Sequence, residues 1–157
     1  MALHPSAQRV LNTLRELGYP GDVFEMDSST RTAAEAAQAA GCEIGQIVKS
    51  LIFRVEPEGR AILVLVSGAN RVHEKRLGQL VGGTLSRPDA DFVREATGFA
   101  IGGVPPVGHK NPMETFIDED LLQYEEVWAA AGTPNAIFKI HPRELAAYSR
   151  GQILCVK

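Results

Sequence analysis

A lysine set in the middle of an apolar run is the first residue of this sequence that could do chemistry. The run Ile47-Val48-Lys49-Ser50-Leu51-Ile52-Phe53 has the β-branched and aromatic content of a strand. Alternation along a strand puts Lys49 on the face of Ile47 and Leu51, and Ser50 on the opposite face. An ammonium group is too costly to bury alone, which leaves two readings. Lys49 either reaches water from a half-exposed strand or lines a pocket where it holds an anion or a carbonyl. Its company of core aliphatics favours the pocket.

The second feature is the segment Gly98-Phe99-Ala100-Ile101-Gly102-Gly103-Val104-Pro105-Pro106-Val107-Gly108-His109. Glycines let a backbone approach a ligand with no side chain in the way, and prolines fix the turn so that free N–H groups keep their aim. That combination suits a carbonyl or oxyanion clamp, where one donor is worth about 2.7–4 kcal/mol of transition-state stabilisation. A plain turn between sheet elements is the other reading. The spacing is neither the dinucleotide-binding nor the P-loop fingerprint.

The remaining candidates are weaker. His4, His73, His109 and His141 show no ligand spacing with Cys or carboxylates, so no metal is expected. No Gly-x-Ser-x-Gly elbow is present, and neither Cys42 nor Cys155 has a histidine beside it, so a protein nucleophile has no support. The two cysteines are expected to be reduced packing residues, with a cysteine-based redox or metal protein as a third, minor reading. Arg71, His73, Lys75 and Arg76 make a basic patch that fits either a solvated helix face or a phosphate grip.

These residues need elements to place them, and the chain alternates short helices with short strands. The first helix starts near Pro5, carries Val10, Leu11, Leu14 and Leu17 at helical spacing, and stops at Gly18. A short strand is expected around Val23 to Met26. Thr32-Ala33-Ala34-Glu35 is a capping box that opens an alanine-rich helix ending at Gly41. The Lys49 run and Ala61 to Val66 bracket Glu56-Pro57-Glu58-Gly59 and read as a central hairpin. Helices follow around Glu74 to Leu80 and Asp89 to Thr97, and Phe99 to Pro112 is too rich in glycine and proline for a regular element. Strands are expected at Thr115 to Ile117, Glu126 to Ala129, Ala136 to Ile140 and Gln152 to Val156, with a turn at Gly132-Thr133-Pro134-Asn135 and a helix from Pro142 to Tyr148. The fold class is α+β: one domain spanning residues 1–157, with a mixed sheet wrapped by helices.

Composition sets the limits on function. A chain of 157 residues, 45% hydrophobic and 22% charged, is long enough to bury a core without a metal or disulfide staple. Its longest unbroken apolar run, Ala61 to Val66, is far below a membrane span, and the N-terminus has no signal-peptide core, so the cytoplasm is the expected compartment. A net charge of −3 argues against coating long nucleic acid by bulk electrostatics; a phosphate partner must be met locally.

Three stretches together, Val48-Lys49-Ser50-Leu51, Thr97 through Gly108, and Ala130-Ala131-Gly132-Thr133-Pro134-Asn135, resemble the YbaK/prolyl-tRNA synthetase-associated editing domains. The order and spacing match over nearly the whole chain, which most resembles the free-standing, ProX-like members. The resemblance implies a mixed, partly closed, barrel-like β-sheet with flanking helices. It also implies hydrolysis of the ester between a wrong amino acid and tRNA, typically alanine or cysteine on a proline tRNA. A synthetase pocket gains only about 1–3 kcal/mol per methylene, so small misfits enter and a second sieve must remove them.

The family lysine falls on Lys49, where it would hold the substrate near its terminal phosphate or ribose. The family Gly-x-x-x-Pro loop falls on Gly102 and Pro106, with Gly103 between them, and its backbone would position the aminoacyl group. Ser50, Ile101 and Val104 border these positions and are assigned to substrate binding. Asn135 either takes a polar contact there or makes an Asx turn after Pro134. Some relatives carry a histidine near this turn; this sequence does not, so a histidine-assisted mechanism is not implied. No cofactor or metal is expected, the water being activated with help from the substrate's own hydroxyl. Arg71, Lys75 and Arg76 are assigned to the tRNA acceptor end, with prolyl-tRNA synthetase as a further partner. A non-catalytic module that binds a tRNA end or a synthetase is the alternative, because a fold does not by itself fix a function.

Overall fold

The computed structural model describes residues 2–157, and what organises it is the hairpin on which Lys49 sits. Strand β2 (Ile47–Glu56) pairs antiparallel with β3 (Arg60–Ser67) in a register running from Val48 opposite Ser67 to Val55 opposite Arg60. Beyond β3 lie β5 (Glu114–Asp118) and β8 (Gln152–Leu154), both joined in parallel. Beyond β2 lie β6 (Val127–Ala130), β7 (Ala136–Ile140) and β1 (Val23–Glu25). A three-residue strand, β4 (Thr84–Ser86), also pairs with β2. The result is one mixed α+β domain on an eight-stranded sheet in the order β1-β7-β6-β2-β3-β5-β8. Its end strands β1 and β8 do not pair with each other, so the sheet does not close.

The central hairpin is buried on both faces, and its alternation divides the core. Val48, Ile52, Leu63 and Leu65 pack on one face with Val10 and Leu14 of α1 (Pro5–Glu16), Val104 and Val107 of the glycine-rich loop, and Phe138. Phe53, Val55, Ile62, Val64 and Val66 pack on the other with Leu77 of α3 (Glu74–Val81), Phe116 and Val156. Each such side chain contributes about 1.5–3 kcal/mol when fully buried, so this hairpin is anchored from both of its faces.

Local signals explain the helix ends. Thr32 Oγ1 accepts the Glu35 N–H at 3.1 Å and the Glu35 carboxylate accepts the Thr32 N–H at 3.2 Å, so α2 (Ala33–Ala40) opens on a complete capping box. Asp89 accepts the Phe92 N–H at 2.9 Å to open α4 (Ala90–Thr97). His4, His73 and His141 each accept a backbone N–H in the first turn of α1, α3 and α5 (Pro142–Ser149), so all three act as helix caps.

The feature that matters for function is a break in the sheet beside β2. On the side away from β3, its first two residues pair with β6 in parallel, Ile47 with Trp128 and Val48 with Ala129. Its last three, Arg54 to Glu56, pair with β4 antiparallel. Between these contacts residues 49–53 have no strand partner on that side. The sheet has a gap at Lys49.

Candidate active site

The gap opens into a cavity of about 530 Å³. Its floor is Ile47 to Phe53 of β2; one wall is Thr30 to Ala33 with Ala36 at the start of α2, and another is Trp128 to Ala130 of β6. Ile101, Gly102 and Val104 of the glycine-rich loop complete it on one side, and Arg87, Pro88 and Val93 also line it. Because it passes through the sheet, the cavity reaches residues from both faces of β2. Small-molecule sites typically occupy about 300–1,000 Å³ and are mostly apolar with a few placed polar groups, and this cavity has that character.

Lys49 is the first of those polar groups. It is half-buried on the α3 face, and its Nζ donates to the Asn70 carbonyl at 2.7 Å. Asn70 is itself fixed, since its Nδ2 donates to Asp118 Oδ2 and to Asp120 Oδ2, each at 2.8 Å. Asp118 is 1% exposed and also accepts the Ser67 N–H at 3.0 Å and the Asp120 N–H at 2.9 Å. A buried carboxylate therefore orders the turn that aims the lysine. Burial lowers the Lys49 pKa from the ordinary lysine value, the charges of Arg71 and Arg87 lower it further, and Asp118 pulls it back up.

Cations gather around the cavity. Arg31 and Arg87 line it, and Arg71 is near enough to act on Lys49. Arg87 pairs with Glu74 at 3.0 Å, whereas among the described residues Arg31 and Arg71 form no ion pair. In a chain of net charge −3, these like charges make the surroundings of the cavity locally positive.

Ser50 supplies a different kind of group. It faces the glycine-rich loop, and its Oγ is a buried side-chain polar atom with no hydrogen-bond partner among the described residues. Leaving such a group unpaired costs about 1–3 kcal/mol, a cost that a bound ligand with a hydrogen-bonding group removes.

The loop that roofs the cavity is held rigidly. Gly98 at φ +82° ends α4, and Thr97 Oγ1 accepts the Phe99 N–H at 3.0 Å and donates to the Val93 carbonyl at 2.7 Å. Gly103 is buried against the turn after β6: its carbonyl accepts the Gly132 N–H at 2.9 Å, and a Cβ on Gly103 would stand 2.8–2.9 Å from the Thr133 backbone. His109 Nε2 lies 2.6 Å from the Pro105 carbonyl, and burial pushes the His109 pKa down despite that bond. Pro106 is buried and faces a separate cavity shared with His109 and Thr13.

Of the residues singled out in the sequence, the structure brings Lys49, Ser50, Ile101, Gly102 and Val104 into one cavity. Gly103, Pro106 and Asn135 do not line it. Asn135 Nδ2 donates to the Met26 carbonyl at 3.0 Å and its Oδ1 accepts from Thr133 Oγ1 at 2.9 Å, so its amide fastens the turn to the segment after β1. The basic patch divides: Arg71 lies beside Lys49, whereas Lys75 and Arg76 are on the exposed side of α3. Arg76 donates to the Cys155 carbonyl at 3.3 Å and to the Lys157 carbonyl, tying α3 to the chain's end. Cys42 is half-buried and both thiols are free, but Cys155 is exposed and is not the packing residue expected of it. Sequence reading missed Asn70, Asp118, Arg31 and Arg87. Only Asn70, in a Gly-Ala-Asn turn after an apolar strand, carried a local signal.

With this geometry in hand, comparison with known proteins identifies the family. The profile of the aminoacyl-tRNA editing domain matches residues 27–148. The chain belongs to the aminoacyl-tRNA editing domain family. It is 32% identical over 132 residues to "Uncharacterized protein YwhH" of Bacillus subtilis (strain 168), spanning 84% of this chain and 83% of that one. It is 25% identical over 130 residues, 82% of this chain and 79% of the other, to a protein of Enterococcus faecalis (strain ATCC 700802 / V583) named "Putative Cys-tRNA(Pro)/Cys-tRNA(Cys) deacylase EbsC". A solved structure described as "a putative trans-editing enzyme for prolyl tRNA synthetase" superposes with a TM-score of 0.93 at 54% identity, covering 99% of each chain.

Proposed function

We propose that this protein is a trans-editing deacylase, acting as a single unit over residues 1–157. It hydrolyses the ester between a misacylated small amino acid, alanine or cysteine or one of similar size, and the 3′ end of tRNA(Pro). The observation that carries the reading is the convergence of a fixed cation, Lys49, and a side-chain-free backbone, Gly102, on one apolar cavity. The cavity has room for an aminoacyl ribose rather than an amino acid alone.

In this reaction a water oxygen bonds to the acyl carbon and the bond from that carbon to the ribose oxygen breaks. The ribose oxygen takes a proton, and free amino acid and tRNA leave. Lys49 holds the terminal phosphate or ribose, and Gly102 lets the loop backbone approach the ester. Gly103 and Pro106 act as positioning residues that hold the loop, and Asn135 does the same for the facing turn. Ser50, Ile101 and Val104 border the amino acid. No protein nucleophile and no metal takes part; the substrate's neighbouring ribose hydroxyl assists the water. Arg71 and the rim arginines meet the acceptor-end phosphates, with Lys75 and Arg76 as an outer basic face. The site of action is the cytoplasm, on tRNA charged by prolyl-tRNA synthetase.

The test is incubation with alanyl-, cysteinyl-, seryl- and prolyl-tRNA(Pro), following loss of the ester. Selective hydrolysis that Lys49→Ala reduces by at least about a hundredfold, with an unchanged circular dichroism spectrum and Tm, is expected. Binding of these tRNAs without hydrolysis of any of them would replace the enzyme with a tRNA-end binding module.

A further inference from the structure

The gap in the sheet leaves backbone groups without partners among the described residues, and their phase along β2 follows from the ladder. Gly68 N–H donates to the Ile47 carbonyl at 2.7 Å and Gly59 N–H to the Val55 carbonyl at 2.7 Å, which fixes the odd-numbered residues of β2 as those bonded to the β3 side. In an antiparallel ladder this alternates strictly, so the N–H and C=O groups of Val48, Ser50, Ile52 and Arg54 point the other way. Val48 meets β6 and Arg54 meets β4. Ser50 and Ile52 face the cavity, one donor and one acceptor each, beside the orphan Ser50 hydroxyl. Unpaired backbone groups in an apolar cavity are as costly as any other lost hydrogen bond.

The shape of the gap says what completes it. Residues 49–53 span about 17 Å of strand, with β6 closing one end and β4 the other. A strand running through would collide with both, so only a chain terminus can enter. A residue added in parallel opposite Leu51 would donate to the Ser50 carbonyl and accept from the Ile52 N–H. An amino acid esterified through its carboxyl group has one donor, its α-ammonium, and one acceptor, its ester carbonyl, across a single Cα.

We propose that the aminoacyl group binds as the missing strand residue of this sheet. Its α-ammonium donates to the Ser50 carbonyl, and its ester carbonyl accepts the Ile52 N–H. This is strand addition shortened to one residue. The Ile52 N–H then lies where negative charge develops as water adds to the acyl carbon. The inference rests on the deacylase reading and names the group by which that site recognises any amino acid, whatever its side chain.

The experiment takes the aminoacyl-tRNA(Pro) without a thiol side chain that the enzyme hydrolyses fastest and converts its α-amine to a hydroxyl with nitrous acid, leaving the ester and side chain intact. Enzymatic rates are divided by each ester's spontaneous rate, because the ammonium itself activates the ester. Loss of the donor is expected to lower the enzymatic acceleration ten- to hundredfold. Replacing the Ile52 amide by an ester, which removes only that N–H, is expected to lower it about tenfold with the amine-bearing substrate. Equal acceleration of the amine and hydroxyl substrates, within about twofold, overturns the inference while leaving the deacylase reading intact. Failure to hydrolyse any aminoacyl-tRNA overturns both.

Discussion

Lys49 works under two constraints that act on one atom. The Asn70 carbonyl fixes where its ammonium stands, while burial and two neighbouring guanidinium groups weaken its hold on the proton. A lysine whose pKa is lowered is charged on the acid side and neutral once pH rises through that lowered value. Activity that needs the charge should therefore fall at a lower pH than an ordinary lysine would allow. Removing one repelling charge must move this limb upward: in Arg87→Met, the alkaline fall of kcat/KM is expected at higher pH than in the parent, and an unmoved limb would take Lys49 out of the profile. Lys49 was legible in the sequence because a cation inside an apolar strand is anomalous on its own. Asp118 was not, since an acidic residue ahead of Glu119 and Asp120 looks like any solvated run until the fold buries it against Ser67 and Asn70.

At the scale of elements, the roof loop is pinned to the turn after β6. Gly103 has no room for a side chain, because the obstacle at 2.8–2.9 Å is the Thr133 main chain rather than a flexible tip. Gly103→Ala is expected to cost about 1–3 kcal/mol and to lower activity with it, readable as a drop in Tm together with a fall in kcat/KM. A substitution tolerated without either change would mean that the loop slides freely over the turn. The helices and the hairpin were readable because their signals are local: the Thr32 to Glu35 box, the glycine stops at Gly18 and Gly41, and the apolar runs either side of Glu56 to Gly59. The gap was not readable. It exists because β6, some 80 residues away in sequence, stops pairing after Val48, and because the three-residue β4 starts only at Arg54. Nothing in residues 49–53 themselves reports what lies beside them, and β4 is too short to leave a pattern.

For the molecule as a whole, the proposed deacylase has a net negative charge and a cluster of cations around its cavity, and these two features divide the work of tRNA binding in that reading. Long-range attraction to a polyanion is weak at this charge, so in that reading the cations around the cavity meet the phosphates at short range. Binding should weaken with salt at a slope of about 0.7 for each phosphate engaged at the single-stranded 3′ end. Arg71→Glu is expected to flatten that slope by about one contact, and Lys75→Glu to change it less; titrations of tRNA(Pro) at several salt concentrations measure both, and a larger effect at Lys75 would move the track onto the face of α3.

The break beside β2 also divides the sheet mechanically. β1, β7 and β6 are laced to the remainder of the sheet through the pairing of Ile47 and Val48 with Trp128 and Ala129, a seam two residues long, whereas β2 and β3 are laced along eight. Such a seam makes a natural boundary between cooperative units of opening. In native-state hydrogen exchange, the amides of β6, β7 and β1 should share one lower opening free energy, and those of β2, β3 and β5 a higher one. A single free energy common to all six strands would show the seam to be as strong as the hairpin. With two classes, the wall of the cavity formed by β6 is the part of the molecule that comes away first, and the threshold over which a substrate enters or a product leaves is set by two residue pairs.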